Sequence, residues 1–393
     1  MHIKLKVISM IKEIRIRNYK SVVDAYLSLG RFNVMIGANG CGKSNLLEGI
    51  AMAGAASANK LDNEFFDNRG IRVADPNLML SAFDNEKKTI DIAVRDDKTI
   101  KINYSIYYDK ETIPAKWVDA VTEHTNEVLD EWHKSVDNHD VISSIQELMS
   151  RKDEKLNFAI RIDQDNINVS RLRFKDLSSF VIFSPEESML RKFDKETGVY
   201  PLGKNGDGLF KYLKELSQNT KYSELMSEII DNLYLLDWFD DMNIPENQLS
   251  NDYSIKLKDR FIEDTIEYID QRSTNEGFLF LLFYVILFVS PDTPSFFAID
   301  NIEKSFNPKL CTRIIRSLAA LSKKYNKQVI ITTHNPYALD GLDLSDDEQR
   351  LFVARRNMDG YTQIDRIKYD KDRTMLLSEV WMKGMIGGLP DNF

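Results

Sequence analysis

The sequence predicts an α/β fold: a mixed sheet with flanking helices, built from the two ends of the chain, with a helical lobe inserted between them. Three observations carry this prediction. "GANGCGKS" (37–44) is a glycine-rich turn between an apolar strand and a helix of small and apolar residues. Two further apolar strands, "SFFAID" (295–300) and "VIITTHNPYALD" (329–340), come late in the chain, and each runs into polar residues able to do chemistry. Between these ends, from Thr112 to about Lys155, the pattern is helical with charge on most faces.

The elements follow in order. "IKEIRIRNYKSV" (11–22) alternates apolar and polar residues, as an edge or half-buried strand does. "RFNVMIG" (31–37) is a strand ending at glycine, and "SNLLEGIAMAGAA" (44–56) a helix. "TIDIAVRDDKTIKINYSIYYD" (89–109) reads as a hairpin about Asp96-Asp97, and 112–155 as a helical pair too short for a coiled-coil arm. Strand alternation returns over 157–174, with a short apolar strand in "FVIFSP" (180–185). Residues 208–240 are helical and lead into the loop "DMNIPENQLSND". The last part reads as helix 276–290, strand 296–300, helix 308–325, strand 328–333 and a strand pair within 350–367. The expected organisation is an N-terminal lobe 1–110, an inserted helical and strand lobe 111–175, a connecting helical region 176–255, a C-terminal lobe 256–378 and a tail 379–393.

Composition narrows the function. The 393 residues suit two or three domains, or one large domain with insertions, and 43% hydrophobic content is ample for a core. A net charge of −9 argues against general polyanion binding. The basic run Lys4, Lys6, Lys12, Arg15, Arg17 and Lys20, against Glu13 alone, is either a local basic patch or a solvated strand edge. Cys41 and Cys311 make neither a disulfide framework nor a zinc pattern and suit a reducing cytosol. The N-terminus lacks the uninterrupted apolar stretch of a secretory signal. "FLFLLFYVILFV" (278–289) is too short to cross a ~30 Å hydrocarbon core and reads as a buried helix. The expectation is a cytoplasmic protein with no membrane partner.

"GANGCGKS" fits G-x-x-x-x-G-K-S without a gap, with a strand before it and a helix after it. Its glycines let successive backbone N–H groups curl around phosphate oxygens, and the helix N-terminus adds a positive dipole end. Lys43 is placed to neutralise the β- and γ-phosphates and Ser44 to put its hydroxyl on Mg²⁺. Cys41 reads as a tolerated small residue of the loop. Asp300, at the end of an apolar strand, is the matching metal carboxylate, and His334, ending another, can reach the γ-phosphate.

The order "IRIRNYKS", "GANGCGKSN", "ID…NP" and "TTHNP" resembles the ABC-type ATPases of the SMC/RecF/OLD group, including the AAA_15/AAA_21-like stand-alone ATPases of bacterial defence systems. The likeness covers roughly 10–60 and 270–370, and is weaker at "FSPEESMLR" and "GKNGDGL". Many members open on I-x-N-F-K-S, here Ile16 to Ser21, which makes Met10 a candidate start alongside Met1. The resemblance implies a P-loop ABC-type head that binds ATP and Mg²⁺. Two heads would sandwich two nucleotides, each held by one subunit's phosphate loop and the other's signature turn. The nucleotide contacts it implies are Lys20, Asn39, Gly40, Cys41, Gly42, Lys43, Ser44 and Asn45, with the signature in "RSTNEGFL", where Ser273 or Asn275 stands for the serine and Gly277 for the glycine. The metal ligands it implies are Ser44 and Asp300.

One departure bears on activity. The family pattern I-D-E-P-E is here Ile299-Asp300-Asn301-Ile302-Glu303. An amide can position a water but cannot take its proton, so a general-base contribution of about 10²–10⁴-fold is at stake. Either Asn301 leaves hydrolysis slow, or Glu303 or another group supplies the base. His334 completes the candidate catalytic set. About 50 residues follow "TTHNP", too few for the Toprim nuclease that OLD-type proteins carry after the ATPase, and the resemblance to stand-alone heads implies a separate effector, a nuclease or toxin. Trp381, Met382, Met385, Ile386 and Leu389 form either a docking segment or a tail folded onto its own core. The favoured reading is an ATP-dependent homodimer or higher oligomer that senses and regulates that effector in anti-phage defence. The alternatives are a RecF-like DNA-repair ATPase, with DNA as its partner, and an ATP-binding scaffold without turnover.

Overall fold

The computed structural model describes residues 10–84, 86–97, 101–124, 174–192, 198–244, 255–262, 268–270 and 273–389. An antiparallel sheet comes first, in the order β2-β1-β4-β5-β6. Its strands are β1 (Ile11–Tyr19), β2 (Val22–Ser28), β4 (Ile90–Asp96), β5 (Lys101–Asp109) and β6 (Lys116–His124). Alternation in the sequence becomes two faces: Ile14 and Ile16 of β1 are buried, while Arg15 and Arg17 reach Asp24 of β2 on the other face. β1 lies between β2 and β4, so it is not an edge strand.

The second sheet runs β14-β13-β3-β12-β11-β7. It comprises β3 (Phe32–Ile36), β7 (Ile182–Phe183), β11 (Phe296–Ile299), β12 (Gln328–Thr332), β13 (Gln349–Arg356) and β14 (Thr362–Ile367). All neighbours are parallel except the β13–β14 hairpin. Both faces are covered, which is why these strands read as unbroken apolar runs. Val34, Ile36, Phe297, Ile299, Val329 and Ile331 enter one core, and Met35, Phe296, Ala298 and Ile330 the other.

Helix α1 (Lys43–Ser57) fills the second of these cores, between the two sheets, and is buried nearly all round. Close approach demands its small residues: a Cβ on Gly49 would come to 3.0 Å from the Ile16 side chain. The opposite face of the parallel sheet carries α2 (Leu209–Ser217), α3 (Ser223–Leu233), α4 (Glu276–Val289) and α5 (Pro308–Lys324). Every residue of α4 from Gly277 to Val289 is buried, as its uniform apolarity requires. A three-stranded sheet, β10-β9-β8, joins β8 (Phe239–Asn243), β9 (Lys256–Asp259) and β10 (Ile269–Asp270). Among the described residues no helix is long and apolar enough to cross a membrane.

Three expectations change. Residues 116–124, expected to be helical, form β6, paired along its length with β5. Trp117 turns inward, edge-on to Phe66 and Tyr108, and anchors the strand. The remainder of the expected helical pair, and the alternating stretch 157–174 but for Phe174, lie outside the described residues. The helical run 208–240 breaks into α2 and α3 and ends at Leu233, and residues 241–243 of the expected loop belong to β8. The tail folds onto its own core: α6 (Leu377–Met382) buries Trp381, and Ile386 and Leu389 pack on the same cluster, while Met382 and Met385 stay exposed.

Candidate nucleotide site

Parallel register puts the site at one sheet edge. Ile299 of β11 lies opposite Ile331 of β12, which lies opposite Val34 of β3, so the three strands end together. Their exits carry the Gly37 turn, Asp300 and Thr332-Thr333-His334, the carboxyl-end arrangement at which open parallel sheets bind ligands.

The phosphate loop has a backbone only glycine fits at two points. Gly37 has φ 150°, and a Cβ there would lie 2.2 Å from the Ala354 carbonyl oxygen of β13. Gly42 has φ 104°, and its Cβ would lie 1.9 Å from Thr362 Oγ1. Thr362 braces the loop from outside. Its hydroxyl donates to the Cys41 carbonyl at 3.0 Å and shares a 2.7 Å hydrogen bond with Ser21, which accepts from Asn45 Nδ2 at 2.7 Å. Arg356 adds a 2.9 Å bond to the Gly40 carbonyl. Lys43 Nζ donates to the carbonyls of Gly37 (2.8 Å) and Ala38 (3.1 Å). Burial pulls its pKa below the ordinary lysine value, against the nearby Cys41, Asp300 and Glu303. Cys41 is buried inside the turn.

Ser44 Oγ donates to Asp300 Oδ2 at 3.4 Å. Thr332 Oγ1 donates to Asp300 Oδ1 at 2.5 Å and accepts the Asn301 N–H at 2.9 Å. One hydroxyl and one carboxylate facing each other are hard oxygen donors that fit Mg²⁺, which takes few protein ligands and completes its octahedron with phosphate and water oxygens. No group of three or more His, Cys, Asp or Glu residues able to hold a metal occurs among the described residues.

Asn301 has φ 58°, a left-handed conformation that asparagine adopts more readily than most residues. The next turn brings Glu303 to the histidine strand: Oε1 accepts the His334 N–H at 2.9 Å, while Oε2 is buried with no hydrogen-bond partner. The His334 pKa is pulled down by burial and by Lys43, against Glu303 and Asp300, which favours the neutral imidazole.

The other expected site residues lie elsewhere. The Lys20 ammonium bonds Glu48 Oε2 at 2.5 Å and the Arg72 carbonyl at 3.0 Å, outside the phosphate turn. Asn275 caps α4, its Oδ1 accepting the Phe278 N–H at 2.9 Å. Ser273 is in the preceding turn, its N–H on the Asp270 carbonyl. Gly277 lies by Ser305 and Phe306 of the loop that follows Asp300.

Sequence reasoning missed several contributors. Buried Glu48 orients Lys20, the Tyr19 hydroxyl (3.0 Å) and Arg72 Nε (2.5 Å), and Arg72 Nη2 donates to Asn45 at 2.9 Å. A glutamate one turn after Ser44 on an otherwise apolar helix was a readable signal for a buried, paired charge. Thr332, Thr362 and Arg72 gave none. "FSPEES" leaves β7 beside Asp300, whose N–H donates to the Phe183 carbonyl at 2.9 Å, and Lys304 Nζ reaches Ser184 Oγ at 3.3 Å.

A family model described as "AAA domain, putative AbiEii toxin, Type IV TA system" matches residues 32–340. Among solved structures, the chain is similar to an SmcHead bound to the C-winged helix domain of ScpA: TM-score 0.56, 13% identity, covering 92% of this chain and 99% of that one. It is also similar to an SMC head domain from Thermotoga maritima, with TM-score 0.47, 12% identity and coverage of 91% and 99%. At these identities the first likeness shows a shared fold, that of an ABC-type ATPase head. No curated protein matches the sequence.

Proposed function

The chain belongs to this AAA-domain family, matched over most of its length, and from that premise we propose that it is an ATP-dependent dimeric switch governing a separate effector protein. The observation that carries the reading is the split within one chain. Lys43, Ser44, Asp300 and His334 converge at one sheet edge, whereas the signature turn 273–277 has its contacts with Asp270 and the 305–306 loop. In this reading a second copy supplies the signature turn that completes each nucleotide site.

In this reading the loop N–H groups and Lys43 bind the β- and γ-phosphates, and the neutral His334 imidazole hydrogen-bonds the γ-phosphate. Ser44 and Asp300 would hold Mg²⁺, which would supply positive charge against the phosphates. Hydrolysis is slow in this reading, with an amide at the strand-end position 301, so the ATP-bound dimer persists. The toxin–antitoxin wording of the family description supports an effector, a nuclease or toxin, as partner and anti-phage defence as the setting. One observation favours a second reading, an ATP-bound scaffold without turnover: the strand-end position 301 carries an amide.

The test is mass measurement in solution with and without ATP and Mg²⁺, beside Lys43→Ala. The wild type should double in mass with nucleotide and the variant should not. A monomer at saturating ATP removes the switch reading. Deletion from its native operon should abolish phage resistance, and unchanged resistance removes the defence role.

A further inference from the structure

We propose that the general base of this centre is Glu303, displaced two residues from the strand-end position that Asn301 occupies. The inference rests on the nucleotide-site reading above and assigns the residue that reading leaves open.

Four observations carry it. First, Asn301 is fixed through its backbone: the left-handed φ of 58° and the N–H bond to Thr332 make it the corner at which the chain turns out of β11. Second, that corner delivers Glu303 on a tightly held frame. Ile302 is buried with its N–H on the Thr332 carbonyl (3.2 Å), and Lys304 is tied to Ser184 Oγ and the Pro185 carbonyl (3.2 Å). Third, the carboxylate is oriented but not consumed. Oε1 takes the His334 N–H, and Oε2 makes no hydrogen bond although buried. A buried carboxylate oxygen without a donor is costly and marks a group kept for another purpose. Fourth, Glu303 is near enough to Lys43 and His334 to act on their charge, as it also does on Tyr284 and Cys311, and Lys43 is the residue this reading puts on the γ-phosphate.

The step balances simply. Glu303 accepts one proton from water as the water oxygen bonds to the γ-phosphorus. The bond between that phosphorus and the β–γ bridging oxygen breaks, and its electron pair leaves with ADP. Inorganic phosphate departs, and the proton passes from Glu303 to solvent.

The test measures steady-state turnover and ATP affinity separately for wild type, Glu303→Gln, Glu303→Asp and Lys43→Ala. Glutamine keeps the oxygen that accepts the His334 N–H but cannot take a proton. Glu303→Gln should lose at least about 10-fold in kcat with affinity within about 3-fold. Glu303→Asp, which keeps a carboxylate, should retain part of the rate. Glu303→Gln at the wild-type rate, or Glu303→Asp no better than Glu303→Gln, overturns the assignment. A wild-type rate equal to Lys43→Ala while ATP binds overturns it too. Failure of ATP to bind at all removes the nucleotide-site reading beneath it.

Discussion

At the scale of single residues, Asn301 shows how backbone geometry limits what a side chain is for. In the sequence it reads as a lost catalytic glutamate. In the structure it is a left-handed corner, and its N–H is one of two groups on the Thr332 hydroxyl. Asn301→Gly should therefore fold with stability within about 0.5 kcal/mol of wild type, while Asn301→Val should cost about 1–3 kcal/mol from the strained backbone. Equal denaturation midpoints for the two would contradict that role. It also follows that Asn301→Glu should not raise turnover, because the new carboxylate inherits a backbone that disfavours it and Glu303 already holds the histidine strand.

Among elements, the junction after α4 is held by one buried lysine. Lys327, at the entry to β12, donates to the carbonyls of Ser290 (2.8 Å), Thr293 (2.9 Å) and Pro294 (3.2 Å) and to the Thr293 hydroxyl (2.8 Å). It ties the end of α4 to the turn before β11, and so helps set where Asp300 emerges. Burial outweighs the opposing pull of Asp292 and Asp176 and lowers its pKa to about 7. The unfolded chain then binds more protons than the folded one between about pH 7 and the ordinary lysine value near 10.4, so this group makes stability rise with pH across that window. Lys327→Met should flatten the rise, and at pH 9 should cost about 1–3 kcal/mol by leaving the carbonyls unpartnered. Thermal unfolding of both proteins at pH 7 and pH 9 checks both points, and parallel pH trends would exclude Lys327 as their source.

For the whole molecule, charge pairing and the divided site matter most. The basic residues described in β1 and beside it are largely neutralised: Lys12 by Glu348, Arg15 and Arg17 by Asp24, Lys20 by Glu48. That removes the chief sequence argument for a DNA-binding groove among the described residues. The divided site makes a sharper prediction. Lys43→Ala and Gly277→Asp should each abolish turnover alone, yet a mixture should regain some. A mixed dimer pairs an intact phosphate loop from one protomer with an intact signature turn from the other. No recovery on mixing, with both variants folded, would contradict the two-copy site.

The sequence by itself determined what is contiguous in the chain. Glycine spacing, an apolar strand before and a helix after specify the phosphate loop, because its backbone geometry is set within eight residues. The buried strands and α4 were legible for the same local reason, since two covered faces demand unbroken apolar runs. Charge-rich 116–124 was not, because a strand with one inward aromatic and a solvated helix place charge almost alike. Only the tertiary structure decided which groups meet across the chain: Thr332 with Asp300 and with the Asn301 N–H, Thr362 with Cys41, Lys20 and Arg72 with Glu48, and the Glu303 carboxylate with the His334 N–H. These pairings depend on strand register and on one left-handed corner. Both are fixed by long-range packing that no local spacing records.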